Sequence, residues 1–177
     1  MIITGGTDGF GKGLALHYLR QGAHVVAIGS TAGKGEALLA EAEAEAEALA
    51  GRATFVRADL TSLAACRGVV DRLAADHPVV DKLILCAQRY RLLGGRATTG
   101  EGFEHSFALA YLSRFVLSHG LHDVLRAARR PVVMNVGTPG VPLGRIHWDD
   151  LQLTRGGRPS TRERGSAPSH LGEVADQ

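Results

Sequence analysis

Lysine is scarce in this sequence, and its second half has none. The 177-residue chain has 20 lysine and arginine residues together, but only Lys12, Lys34 and Lys82 are lysines. Arginine is therefore the only strong base after residue 82. Lysine is the base whose pKa shifts readily on burial, whereas arginine stays charged. Chemistry in the second half that needs a tunable amine must therefore use another group.

Cysteine and long apolar runs are scarce as well. The two cysteines, Cys66 and Cys86, form no CxxC or zinc-ligand spacing, so we expect reduced thiols. No stretch reaches the roughly 18 apolar residues that a membrane span needs. The first thirty residues also lack the apolar segment of a signal peptide. The sequence therefore predicts a cytoplasmic protein with no membrane partner.

The charges nearly balance, with 20 basic and 18 acidic residues and a formal net charge of +2. Such a balance creates no strong positive field, so we expect no nucleic-acid partner. His119 and His122 are three residues apart on a predicted helix, but no third ligand is evident nearby. We therefore expect no metal site. The length fits one globular domain with a sizeable core.

The first 136 residues alternate short apolar runs with longer helical stretches. This alternation is typical of βα units that build a parallel sheet. The alternating alanines and glutamates from Glu41 to Glu47 are good helix formers, so we assign them to a helix. The predicted strands are Ile2–Thr4, His24–Ile28, Ala53–Arg57, Lys82–Cys86 and Val132–Val136, and the predicted helices are Gly11–Gln21, Gly33–Leu49, Ser62–Ala75 and Gly102–Arg129, the last interrupted near Gly120.

The junction of the first strand and first helix is rich in glycine, with TGGTDGFGKG at residues 4–13. Gly5 suits a tight turn, Gly9 the close approach of a phosphate, and Gly11 close packing of helix on strand. The phosphate would then lie at the positive end of the helix. The run also fits the start of the P-loop pattern up to Lys12, but Gly13 follows where a magnesium-binding Ser or Thr is needed. The run therefore disfavours a nucleotide hydrolase.

The glycine spacing resembles that of the short-chain dehydrogenase/reductase family, and the resemblance continues to about residue 153. Asp59 and Leu60 resemble the family's adenine-contacting pair. Ala87 is all that remains here of the Asn-Asn-Ala-Gly run that follows the family's fourth strand. Further similarities lie in Gly102–Phe103, Phe107–Leu112, Asn135–Thr138 and His147–Leu151, the last resembling the retinol-dehydrogenase-like branch.

The resemblance implies an α/β fold over residues 1–153, with a Rossmann-type doubly wound parallel sheet in three α/β/α layers. Five predicted strands are used by residue 136, so we expect the sheet to be short at its C-terminal edge. Residues 154–177 are rich in arginine, glycine, serine and proline. Such a composition buries little apolar surface, so it predicts a poorly ordered tail.

The end of the second strand bears on which nicotinamide cofactor the resemblance implies. An NAD-dependent enzyme has Asp or Glu there, whereas this chain has Ser30 and Thr31, followed by Lys34. These side chains suit a 2′-phosphate by hydrogen bonding or neutralisation. The sequence thus favours NADP(H) over NAD(H). The predicted cofactor-binding residues are Gly5, Thr7, Asp8, Gly9, Phe10, Gly11, Ser30, Thr31, Lys34, Asp59, Leu60 and Ala87.

The resemblance also implies a proton donor, which the family provides with a Tyr-x-x-x-Lys pair. None of Tyr18, Tyr90 and Tyr111 has a lysine four residues on. Thr138 stands at the position of the family's catalytic serine and is the one catalytic residue we predict, while Ala110 replaces the family's asparagine. Tyr111 is adjacent to it, but neighbours on a helix point about 100° apart. We therefore expect Tyr111 to be part of the core.

Three interpretations fit a chain that resembles the cofactor-binding half of the family but lacks the Tyr-x-x-x-Lys pair. The chain is a truncated or frame-altered relative; or a catalytically silent protein that binds a dinucleotide, ligand or partner; or an enzyme whose proton comes from Thr138, water or the substrate. Our working prediction is an NADP(H)-dependent oxidoreductase acting on a small carbonyl or alcohol. Family members often pair through their fourth and fifth helices, so a homo-oligomer is left open.

Overall fold

The computed structural model describes residues 1–45, 51–89, 96–137 and 146–155. These ranges contain a five-stranded parallel sheet with helices on both faces. The strands are β1 (Ile2–Thr4), β2 (Val25–Gly29), β3 (Ala53–Arg57), β4 (Lys82–Leu85) and β5 (Val132–Asn135). The helices are α1 (Gly9–Arg20), α2 (Ala32–Glu45), α3 (Leu63–Asp76), α4 (His105–Phe107), α5 (Ser113–Gly120) and α6 (His122–Arg126), with a π-helical turn at Ala108–Leu112 joining α4 to α5.

The strand order is β3-β2-β1-β4-β5, and all neighbours run parallel. The chain begins at the centre with β1, moves outward to β3, and then crosses back to β4 on the other side. This reversal opens a crevice at the carboxyl ends of β1 and β4, where ligands of doubly wound sheets bind. The predicted doubly wound α/β fold is confirmed.

The core forms two layers because successive strand residues point to opposite faces of the sheet. In β1, Ile2 packs with Leu73 of α3 and Leu117 of α5 on one face. Ile3 packs with Leu19 of α1 and Leu38 of α2 on the other. Both isoleucines are fully buried. Helices therefore cover both faces of the sheet, which gives the three predicted layers.

Side-chain caps fix where two of the helices begin. The Asp8 carboxylate accepts the Gly9 N–H at 2.9 Å, so α1 begins two residues earlier than predicted. At α3, the Ser62 hydroxyl accepts the Ala65 N–H at 3.2 Å. The Glu101 carboxylate accepts the Leu63 N–H at 2.7 Å and the Ala64 N–H at 3.0 Å. Glu101 thus holds the segment before α4 against the start of α3.

The long helix predicted from Gly102 begins later and is interrupted. Its first turn starts at His105, where the Glu104 carboxylate accepts the Phe107 N–H at 2.7 Å. The helix breaks at Leu121, next to the predicted position at Gly120, and α6 then ends at Arg126. The predicted helical residues after Glu45 and the predicted tail after Arg155 lie outside the described residues.

Candidate functional site

A cavity of about 580 Å³ opens at the carboxyl ends of β1, β2, β3 and β4. It lies at the crevice that the strand order creates, and four separate strand-to-helix connections contribute to its wall. All twelve predicted cofactor-binding residues line it: Gly5, Thr7, Asp8, Gly9, Phe10, Gly11, Ser30, Thr31, Lys34, Asp59, Leu60 and Ala87.

Two glycines of the first connection are required by close packing. Gly5 has φ +65°, and a Cβ there would lie 3.0 Å from both the N and the Cα of Ala87. A Cβ on Gly11 would lie 2.3 Å from the Gly5 carbonyl oxygen. Side chains at these positions would push α1 away from β1 and β4. The glycines therefore bring the start of α1 directly over the end of the sheet.

The first connection has the shape and the donors that a pyrophosphate needs. Gly9 has φ +48°, and a Cβ there would meet no atom within 4 Å, so the loop is open at this point. The first N–H groups of α1 have no partner inside the helix, and they lie at its positive end. Thr7 is buried against Gly29 of β2 and holds the loop in place. These residues fit a dinucleotide phosphate group.

Charge is concentrated at the cavity wall next to the end of β2. The Lys34 ammonium forms an ion pair with the Asp8 carboxylate. The hydrogen bond from Lys34, and next that from the Gly9 N–H, hold the pKa of Asp8 below its usual range. Asp8 thereby offsets one of the positive charges at this wall.

Arg57 adds a positive charge that the sequence analysis missed. Its Nε donates to the Ser30 carbonyl oxygen at 3.4 Å. It lies beside Ser30 because Arg57 pairs with Gly29 in the β2–β3 register. In the sequence, Arg57 is the last residue of the predicted third strand. Its position beside Ser30 could be inferred only once the second and third strands were known to be neighbours in the sheet.

The wall near the end of β3 is a rigid turn. The Asp59 carboxylate accepts both the Thr61 N–H at 3.0 Å and the Thr61 hydroxyl at 2.8 Å. Leu60 is buried at 4% exposure and joins the core layer under α3. The turn therefore offers the cavity one carboxylate beside an apolar side chain.

The opposite wall follows β4. The Ala87 N–H donates to the Thr4 hydroxyl at 3.1 Å, and the Gln88 amide donates to the Val136 carbonyl at 2.7 Å. Arg114 of α5 donates to the same carbonyl at 2.9 Å, so β4 and β5 are tied together at their ends. Burial raises the pKa of the half-buried Cys86 thiol. Ten further residues line the cavity that were not predicted to bind the cofactor, namely Ile28, Gly29, Ala58, Thr61, Cys86, Gln88, Arg89, His105, Leu109 and Val136.

The predicted catalytic machinery is described only in part. Thr138 and Tyr90 lie outside the described residues. Tyr111 is 57% exposed and stacks on Phe107 at a centroid distance of 5.2 Å, so the expectation that it belongs to the core is wrong. The face of this helical stretch that packs inward contains Ala108 and Leu117, so Tyr111 is left on the outer side. It does not line the cavity.

The described residues offer neither a metal-ion site nor a membrane-spanning helix. Ranges 1–45, 51–89, 96–137 and 146–155 contain no group of three histidine, cysteine or acidic residues placed to hold a metal ion. His119 contacts the Phe115 ring edge to face, at 4.2 Å between centroids. Within the same ranges, every helix is too short or too polar to cross a bilayer.

Residues 1–147 match the family model described as short chain dehydrogenase. Human polyprenol dehydrogenase is 30% identical over 155 residues, which cover 85% of this chain and 46% of that protein. Mouse retinol dehydrogenase 13 is 30% identical over 151 residues, covering 85% and 44%. The Pseudomonas aeruginosa RhlG/NADP active-site complex has a TM-score of 0.61 at 26% identity, covering 77% of this chain and 53% of that one. The chain thus spans about half the length of these relatives.

Proposed function

The chain belongs to the short-chain dehydrogenase family, in a retinol-dehydrogenase-like branch, and on this basis we propose that it binds NADP(H) and catalyses hydride transfer to or from a small carbonyl or alcohol substrate. The observation that carries the proposal is the single cavity lined by all twelve residues expected to bind the cofactor. The bound dinucleotide supplies the hydride. Gly5, Gly9 and Gly11 let α1 present its positive end to the pyrophosphate.

The preference for NADP(H) rests on the charges near the end of β2. Ser30 and Thr31 stand where a carboxylate would repel a 2′-phosphate, and Lys34 lines the same wall. Arg57 does not line the cavity but lies next to this wall, where its Nε donates to the Ser30 carbonyl oxygen. The Asp8 carboxylate pairs with Lys34 and offsets its charge. Among the described residues Arg57 pairs with no carboxylate, so it provides the stronger attraction for a phosphate.

The reaction also needs a source for the proton that the substrate oxygen gains. Reduction of a carbonyl leaves an alkoxide that must gain a proton, and the sequence has no Tyr-x-x-x-Lys pair. We propose that the Thr138 hydroxyl hydrogen-bonds the substrate oxygen and that water completes the protonation. This assignment follows from the family resemblance of residues 135–138.

Turnover tests the proposed activity most simply. The full chain is incubated with NADPH and a panel of aldehydes and ketones, and with NADP⁺ and retinol or a polyprenol, because the relatives are named for these alcohols. We expect turnover that Thr138→Ala abolishes and that Thr138→Ser retains. Measurable NADPH binding without turnover on any substrate would contradict the oxidoreductase assignment and favour a protein that only binds the dinucleotide.

A further inference from the structure

One charged residue of the cavity wall has no counter-charge. Apart from a histidine, the lining residues with ionisable charged side chains are Asp8, Lys34, Asp59 and Arg89. Asp8 and Lys34 form an ion pair, and Asp59 holds the turn at Thr61. Among the described residues, the Arg89 side chain forms neither an ion pair nor a hydrogen bond. Arg89 is exposed, so a molecule that enters the cavity can reach its guanidinium.

Arg89 lies on the β4 side of the cavity. It closely follows β4, and the side chain of its neighbour Gln88 donates to the Val136 carbonyl oxygen just beyond β5, at 2.7 Å. Ser30 and Thr31 line the same cavity after β2, and β1 lies between β2 and β4 in the sheet. The glycine run that follows β1 therefore separates Arg89 from the proposed 2′-phosphate site.

This order of residues along the cavity leaves Arg89 to the substrate. With the residues for a 2′-phosphate after β2 and those for a pyrophosphate after β1, the part of the wall that remains for the nicotinamide and the substrate follows β4 and β5. The reacting atoms must be held next to each other for hydride transfer. The phosphates have donors of their own in the first N–H groups of α1, in Lys34 and in Arg57.

The wall around Arg89 determines which charge a substrate can bring. Cys86, Ala87 and Gln88 line the cavity before it, and Val136 lines it after β5. None of these side chains is charged, since burial raises the pKa of the Cys86 thiol. A guanidinium presents its N–H donors in a fixed plane, which matches the oxygens of a carboxylate or of a phosphate group. This part of the wall therefore suits a substrate with one anionic group.

We propose that the substrate is a small carbonyl compound or alcohol that carries a carboxylate or a phosphate ester, and that the Arg89 guanidinium binds this oxyanion group. The proposal rests on the proposed dinucleotide binding and hydride transfer and deepens it, because it names a substrate class and a specificity-determining residue. Arg89 takes no part in the transfer of the hydride or the proton. It determines which carbonyl compounds bind.

Binding without turnover measures this preference directly. Each probe is titrated by calorimetry into the full chain saturated with NADP⁺, which cannot reduce a carbonyl group. The probes are pyruvate, levulinate and dihydroxyacetone phosphate, and each is compared with its neutral counterpart: methyl pyruvate, methyl levulinate and dihydroxyacetone. We expect at least one anion to bind about tenfold more tightly than its counterpart, the value of a hydrogen bond to a charged group. The two carboxylates and the phosphate ester distinguish the two sources of the oxyanion group.

Substitutions at Arg89 assign the preference to its guanidinium. Arg89→Gln should abolish the preference for the anion. Arg89→Lys keeps the charge but loses the planar fork, so it should bind the anion within about threefold of wild type. Both variants should bind NADP⁺ as the wild type does, because other residues hold the phosphates. Arg129→Gln, at an exposed arginine outside this cavity, is the matched control and should change neither affinity.

The possible failures of this proposal and of the proposed function differ. In a chain that binds NADP⁺, equal affinity for the anions and their neutral counterparts, or no binding of any probe, would overturn this proposal alone. So would an anion preference that survives Arg89→Gln, or a loss of NADP⁺ affinity in Arg89→Gln as large as the loss of anion affinity. Failure of the wild-type chain to bind NADP⁺ and NADPH would overturn the proposed function and this contact with it.

Discussion

Gly11 and Gly13, two positions apart in α1, have opposite environments. A Cβ on Gly11 would lie 2.3 Å from the Gly5 carbonyl oxygen, whereas a Cβ on Gly13 would meet no atom within 4 Å. We expect Gly11→Ala to destabilise the fold by about 1–3 kcal/mol through overpacking and to abolish dinucleotide binding. Gly13→Ala should stabilise it by about 0.5–1 kcal/mol, because alanine is the better helix former. Urea unfolding and NADPH titration measure both, and equal effects of the two variants would contradict the assigned packing.

The residues near the end of β2 make the cofactor preference testable one charge at a time. Lys34→Gln and Arg57→Gln should each weaken NADPH binding, Arg57→Gln by about tenfold, because both remove a positive charge near the 2′-phosphate. Neither should change the affinity for NADH, which lacks that phosphate. Lys12→Gln is the control, since its ammonium pairs with the Glu41 carboxylate, which offsets its charge. Equal losses for NADPH and NADH would show that these residues act on the fold instead.

The edge strand β5 leaves apolar side chains uncovered. Within the described ranges it pairs only with β4, and Val132, Val133 and Met134 are each at least 38% exposed. An apolar strand with a free edge is a template for association. We expect the chain to self-associate with rising concentration, and Val132→Lys with Met134→Lys to reduce this in light scattering. Val79→Lys, at an exposed position before β4, is the control; association unchanged by the β5 variants would place the contact elsewhere.

The segment from residue 146 to 155 is organised around one carboxylate. Asp150 accepts the Thr154 N–H and hydroxyl, each at 2.8 Å, and the Arg155 N–H at 2.9 Å. The two backbone hydrogen bonds are the main reason why the pKa of Asp150 falls to about 2. Because the folded pKa lies below the usual value of 3.8 for an aspartate, the carboxylate stabilises this turn above pH ~4 and loses its effect as the pH falls towards 2.

Nuclear magnetic resonance can follow this turn directly. The Thr154 and Arg155 amide shifts should keep their folded values down to about pH 3 and move to random-coil values below it. Asp150→Asn should produce the random-coil shifts already at neutral pH. Asp149→Asn should not, because among the described residues the Asp149 carboxylate pairs only with the exposed Arg155 guanidinium, at 3.0 Å. Folded shifts in Asp150→Asn would contradict the role given to this carboxylate.

At the scale of the whole molecule, the sequence predicted the features that depend on local chemistry. The apolar runs predicted the five strands, and the glycine run predicted where α1 meets the sheet. The position of Arg57 beside Ser30 and that of His105 in the cavity wall escaped prediction, because they depend on which strands are neighbours and on how the segment before α4 packs. Tyr111 was misplaced because the inward face of a helix interrupted by a π-helical turn cannot be read from spacing alone.

The role of Thr138 and the pairing of two copies stay predictions. Thr138 is beyond the described ranges, and the chain spans about half the length of the relatives it matches. The described lining of the cavity, by contrast, lies within residues 5–136. Cofactor binding can therefore be tested on this chain whatever the outcome for catalysis.

Calorimetric titration of the full chain with NADPH and with NADH tests the central claim most directly. NADPH should bind at one site, at least about tenfold more tightly than NADH, and 2′,5′-ADP should compete with it. Gly11→Ala should abolish the binding of both dinucleotides. Tighter binding of NADH would contradict the proposed role of Lys34 and Arg57, and absence of binding by both would contradict the assignment of the cavity itself.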